Sequence, residues 1–132
     1  MTSKILIDSV KAGALFTLID AVYLGVIRRQ YHVDYFQQNI NQGKSFRNGF
    51  LPLALITWFL LGLGVELFAV PNSATVMEAA IKGGLLGFII YGVYDMTNLA
   101  TVDGWTSSFA IQDMIWGTIL TGTVAAISKA IK

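Results

Sequence analysis

The stretch Leu51-Pro-Leu-Ala-Leu-Ile-Thr-Trp-Phe-Leu-Leu-Gly-Leu-Gly-Val65 constrains this chain more than any other feature. A helix of a water-soluble bundle needs a polar face opposite its apolar stripe. Read at helical period, this stretch is apolar all round, which makes it a membrane span. Crossing a hydrocarbon core about 30 Å thick takes about 20 such residues. Three further stretches qualify, so the expected spans cover residues 5–27, 50–70, 77–99 and 108–127. The first stops at Arg28-Arg29, and Pro71-Asn72 ends the second. Pro52 stands in the first turn of the second span, where a missing N–H breaks no helical bond. The expected fold is all-α, an integral membrane four-helix bundle in which residues 1–132 form one transmembrane domain.

Composition agrees and excludes much else. Only 13% of the residues are charged and 55% are hydrophobic, against about 25% charge in soluble domains. A net charge of +1 offers no basic surplus for nucleic acid. The chain has no Cys and one His, His32, which removes disulfides, zinc ribbons, Cys nucleophiles and bis-His haem. No cofactor is expected. The first span lacks a basic leader and a convincing cleavage site, so it reads as retained rather than as a signal peptide.

Side A is defined as the face with both ends of the chain and the turn near Pro71; side B carries the first and third loops. Side A has Lys4, Lys11, Lys82, Lys129 and Lys132, and side B has Arg28, Arg29, Lys44 and Arg47. That near-balance gives the positive-inside rule only a weak lean to side B as the cytoplasmic or matrix-like face. Lipid gives helices no hydrophobic reason to associate, so rows of small residues mark packing faces. Such rows hold Gly83 and Gly87 in the third span, Gly25 at the end of the first, and Gly117 in the fourth. Packing within the chain is the expectation, with a homo-oligomer through one such face as the alternative.

Charges inside a span are functional hypotheses by default. Asp20, Asp95 and Asp113 stand on three different spans, roughly 6–12 Å from side B at 1.5 Å per residue. Helical spacing puts Tyr91, Asp95 and Asn98 on one face and Asp113, Gly117 and Thr121 on another. Tyr94, Thr97, Asn98 and Trp116 add polar groups nearby. The cluster is a candidate proton or cation site. The structural alternatives are hydrogen-bond clamps to Tyr, Trp or backbone, or a side-B arginine (Arg28, Arg29 or Arg47) folded over the mouth. Ligand or lipid-headgroup binding is a third reading. Glu66, Glu78, Lys82, Asp8 and Lys11 read as headgroup-level ion pairs or snorkelling groups, Trp105 as an interfacial anchor, and His32 as a solvated loop residue. Tyr31, Tyr35, Phe36, Ile40 and Phe46 can line an amphipathic helix over the side-B mouth.

Asp20-Ala-Val-Tyr-Leu-Gly25, Tyr91-Gly-Val-Tyr-Asp95-Met-Thr-Asn98-Leu-Ala-Thr101, Gly104-Trp105 and Asp113-Met-Ile-Trp-Gly117 resemble domain of unknown function family 2177. These are small predicted four-span membrane proteins, and the likeness runs over nearly the whole chain. Tyr23 stands where that family pattern has Trp, and the first loop is richer in Gln and Asn. The resemblance implies a membrane bundle and carries no activity. The functional expectation is a proton- or cation-coupled transporter or channel using the carboxylate cluster. The alternative is a non-catalytic structural or accessory subunit of a larger membrane complex. An acid in the first of four spans is also similar to the small multidrug-resistance exporters, but the rest of their pattern is missing. Enzymatic activity is not expected: Ala110-Ile111-Gln112 precedes Asp113, where intramembrane aspartyl proteases carry Gly-x-Gly. An aromatic-rich groove for pigment or quinone has no diagnostic motif here.

Overall fold

The computed structural model describes residues 2–40 and 49–132. Lys44, Phe46 and Arg47 lie outside the described residues. Helix α1 (Ser3–Val22) starts where the Thr2 hydroxyl accepts from the Ile5 N–H, and it runs on into a π-helical turn, Tyr23–Ile27. A short α2 (Arg29–Tyr35) follows, with a second π turn at Phe36–Ile40. Helix α3 (Phe50–Gly64) ends in a third, Val65–Ala69. Helices α4 (Val76–Thr101) and α5 (Ser107–Ala130) are each capped by a threonine: Thr75 accepts from Glu78 N–H and Thr106 from Phe109 N–H. Such caps occupy amide donors that a helix start leaves without partners.

Among the described residues, four helical stretches are long and apolar enough to cross a membrane: Ser3–Ile27, Phe50–Ala69, Val76–Thr101 and Ser107–Ala130. The shortest has 20 residues, about 30 Å, the thickness of the hydrocarbon core. Leu18, Ile56, Leu60, Leu85, Ile89 and Ile119 stand exposed on the outside, where lipid solvates them.

Close backbone approach holds the bundle together. A Cβ on Gly62 would come within 2.6 Å of Gly13 N and Ser9 O, so α3 lies directly on α1. A Cβ on Gly83 would strike Ala125, and one on Gly87 would strike the Gly117 carbonyl and the Thr121 side chain. Gly25 is a correction to the packing expectation: nothing lies within 4 Å of its added Cβ. The π turn it occupies rotates the end of the first span, so the regular four-residue spacing no longer predicts its face.

The middle of the bundle is packed with apolar side chains. Phe16, Val65, Leu120 and Val124 are fully buried and fill it from three helical segments. On side A, Lys132 pairs with Asp8 at 2.8 Å and with the buried Glu66 at 3.0 Å, and Lys4 pairs with Asp8 at 2.7 Å. Burial pulls the Lys132 ammonium down, but the bonds to Asp8 and Glu66 outweigh it and hold its pKa above the ordinary value. Glu78 and Lys82 pair at 2.9 Å one turn apart, and Lys82 also donates to the Asn72 carbonyl.

Candidate functional site

The three intramembrane acids are all at the side-B end, but they live in different surroundings. Asp20 is clamped. Trp58 Nε1 on α3 donates to its Oδ2 at 2.9 Å, and Trp116 Nε1 on α5 donates to its Oδ1 at 2.8 Å. Tyr23 stacks on the Trp116 indole, with ring centroids 3.8 Å apart. Each carboxylate oxygen therefore has a donor held by packing. Two charge-assisted bonds offset much of the cost of removing a carboxylate from water.

Asp95 is the opposite case. It is 0% exposed, and neither of its oxygens has a hydrogen-bond partner among the described residues. Its carboxyl is beside that of Asp113, and the Trp105 indole N–H faces it. That N–H is itself buried with no partner at hydrogen-bond distance. Asp113 is half-buried. Tyr91 lies among all three acids, its ring pressed against Gly117, where a Cβ would overlap the ring. Among the described residues no Lys or Arg forms an ion pair with any of the three acids.

A lid of aromatic rings closes side B over this pair. Tyr35 on α2 stacks on Phe109 of α5 with centroids 4.1 Å apart, and Trp105 meets the Phe109 edge at 5.2 Å. The Tyr35 hydroxyl donates to the Gly104 carbonyl at 3.1 Å and accepts from Thr106 N–H at 3.0 Å, tying α2 to the start of α5. Gly104 has φ +87°, and Asn39 O occupies the space a Cβ would need, so only glycine fits this turn. Arg28 donates to Gln112 Oε1 at 2.7 Å and lies 4.2 Å over the Tyr31 ring. It braces the lid and does not neutralise the acids.

The expectation of an amphipathic segment over the side-B mouth matches the placement of Tyr31, Tyr35, Phe36 and Ile40 around Trp105 and Phe109. Two others are corrected. His32 is 8% exposed, wedged among Tyr23, Tyr31 and Phe109, with Nδ1 at 3.0 Å from the Arg28 carbonyl. Burial pulls its pKa below the ordinary value near 6.5, and the Arg28 carbonyl opposes that only in part. Trp105 is 9% exposed and serves as lid rather than as an interfacial anchor. Sequence spacing also gathered Tyr94 and Thr97 into the cluster. Both are exposed, Tyr94 at 51%, although its ring edge still meets Trp105 at 5.7 Å. Asn98 is half-buried beside Tyr94.

A model of the family described as "Predicted membrane protein (DUF2177)" matches residues 5–130. The chain belongs to the DUF2177 family. No curated protein and no solved structure matches it. In this DUF2177 protein the matched region covers all but the first two residues of the spans, and it contains the acid pair and the lid. It is a multi-pass integral membrane protein.

Trp58 was the residue that sequence reasoning missed. A signal for it existed: an indole N–H inside an otherwise apolar span needs an acceptor, and the acids of other spans are the obvious ones.

Proposed function

We propose that this DUF2177 protein binds a proton or small cation at the Asp95–Asp113 pair and couples that binding to transport or channel activity. One observation carries the reading: a fully buried carboxylate with no partner, next to a second carboxyl. Nearly all buried polar groups are paired, so an unpaired one calls for an occupant or a working role. Asp20 needs neither, because two indoles already satisfy it. The proposed site is thus two acids, with Tyr91 as the adjoining hydroxyl and Trp105 as the cover. No catalytic role is assigned to these residues.

The test is flux in proteoliposomes under a pH or cation gradient. Asp95→Asn keeps size and shape and removes the charge. Loss of gradient-dependent flux, with the protein still folded by circular dichroism and gel filtration, supports the reading. Unchanged flux in folded Asp95→Asn overturns it.

A second reading, an accessory subunit of a larger membrane complex or a homo-oligomer, is favoured by a separate feature. A groove of about 800 Å³ runs along the outer seam of α4 and α5. Its floor includes Ala80, Gly84 and Gly122, and its walls include Leu85, Phe88 and Ile119. A groove floored by small residues suits a helix from another chain better than it suits lipid alone. Gly84→Leu, which fills the groove, should release a partner seen in mild-detergent purification; a particle of unchanged size counts against this reading.

A further inference from the structure

We propose that the occupant of the Asp95–Asp113 site is a proton shared between the two carboxyls, with the Trp105 indole as the third member of the bond network. The inference rests on the Asp95–Asp113 site proposed above and narrows what it takes up.

Three observations on the donors lead there. First, Trp105 presents an N–H, not an oxygen, toward Asp95. An N–H dipole aimed into a site repels a cation and stabilises an ionised oxygen. Second, the hard divalent cations calcium and magnesium take six or more oxygen ligands, about 6–8 for calcium. Among the described residues there is no group of three His, Cys, Asp or Glu side chains able to hold a metal. Third, two neighbouring carboxyls with no Lys or Arg paired to them strongly disfavour double ionisation. A proton on one carboxyl supplies the O–H donor that the other lacks, and the remaining oxygen can accept from Trp105. With that proton in place, the unpartnered Asp95 carboxyl and Trp105 indole form a closed set with Asp113.

The groups around the pair are consistent with this. From α1 come Asp20, already bonded by its two indoles, and the Tyr23 phenol. From α4 come the Tyr91 and Tyr94 phenols. Arg28, a cation of the lid, is engaged with Gln112 and the Tyr31 ring.

Infrared spectroscopy of the full chain in lipid is the deciding measurement, because a protonated carboxyl has a carbonyl band distinct from that of a carboxylate. At neutral pH the wild type is expected to show such a band, shifted or lost in Asp95→Asn and in Asp113→Asn and absent from the double variant. Asp20→Asn should leave it in place. Sodium, potassium and calcium should not alter it. A band missing from the folded wild type overturns the proposal. So does a band that disappears when one of these cations is added, since that outcome assigns a cation to the site. Labelling by dicyclohexylcarbodiimide, which attacks protonated carboxyls, then locates the proton by peptide mass spectrometry. Label at Asp95 or Asp113 is expected, and label confined to Asp20 overturns the assignment. A band with no flux removes the transport reading and leaves the shared proton standing; flux that needs a cation, with no band, does the reverse.

Discussion

Trp116 on α5 donates its indole N–H to Asp20 Oδ1 at 2.8 Å, joining the first and last spans across 96 positions of sequence. With Trp58 on the other oxygen, the carboxylate ties three helices at one point.

That clamp predicts a strong asymmetry between substitutions. Trp116→Phe keeps the ring stacked on Tyr23 and leaves one oxygen of Asp20 without its donor. A hydrogen bond to a charged group contributes about 1.5–3 kcal/mol, so a loss of that size is expected. Asp20→Asn should be comparably damaging, because its NH₂ must face one of the two indole N–H donors. Thermal unfolding in detergent measures both; near-wild-type stability in both variants would remove the clamp from the account.

Gly117 faces the Tyr91 ring, and Gly25 faces nothing within 4 Å. Gly117→Ala should therefore destabilise by about 1–3 kcal/mol through overpacking, with partial recovery in Gly117→Ala/Tyr91→Leu. Gly25→Ala should be neutral or stabilising by up to about 1 kcal/mol, as expected for removing a helical glycine. The two variants differ by one methyl each, so their melting curves compare the sites directly.

The side-A pairs predict coupling. Lys132→Met leaves the buried Glu66 carboxylate without its ammonium, and a loss of roughly 1–3 kcal/mol is expected. Adding Glu66→Gln should restore part of it. A double-mutant cycle reads the interaction, and simple additivity of the two changes would contradict the pairing.

His32 gives the lid a pH dependence with a definite sign. Its folded-state pKa lies below its ordinary value near 6.5. Between those two values the unfolded lid binds more protons than the folded one, so stability rises with pH there. The contribution is complete above about 6.5 and is lost as pH falls toward the folded value. Protection factors in α2, which correct exchange for its intrinsic pH dependence, should fall as pH drops from about 6.5 to 5.5, and His32→Phe should abolish that fall. Protection factors independent of pH in the wild type would contradict the burial of His32.

The spans were legible because the bilayer imposes a length. The expected residues 50–70 and 108–127 lie within three residues of the helical stretches Phe50–Ala69 and Ser107–Ala130. The depth of the acids was legible for the same reason: a fixed rise per residue turns position into distance. Their division into a clamped Asp20 and an unpartnered Asp95 was not. That depends on which way Trp58 and Trp116 turn about their helix axes, and the spans carry too little amphipathic pattern to reveal it. The lid failed differently. His32 and Trp105 are in connecting segments, which sequence logic treats as wet, and their burial comes from rings brought together across about 70 residues. Gly25 escaped because a π turn breaks the spacing that put it on a packing face.

The buried apolar layer of Phe16, Val65, Leu120 and Val124 has an electrical consequence. Asp95 and Asp113 are each six residues from the side-B ends of their helices, Thr101 and Ser107. That is about 9 Å, roughly a third of the hydrocarbon thickness. Voltage drops mainly across the apolar part of a membrane, and most of that part here lies on the side-A flank of the pair. A full crossing of one charge is worth about 2.3 kcal/mol per 100 mV. A proton arriving from side B traverses only a minor fraction of that field, so occupancy of the pair should follow the acidity of one compartment and respond weakly to the membrane potential.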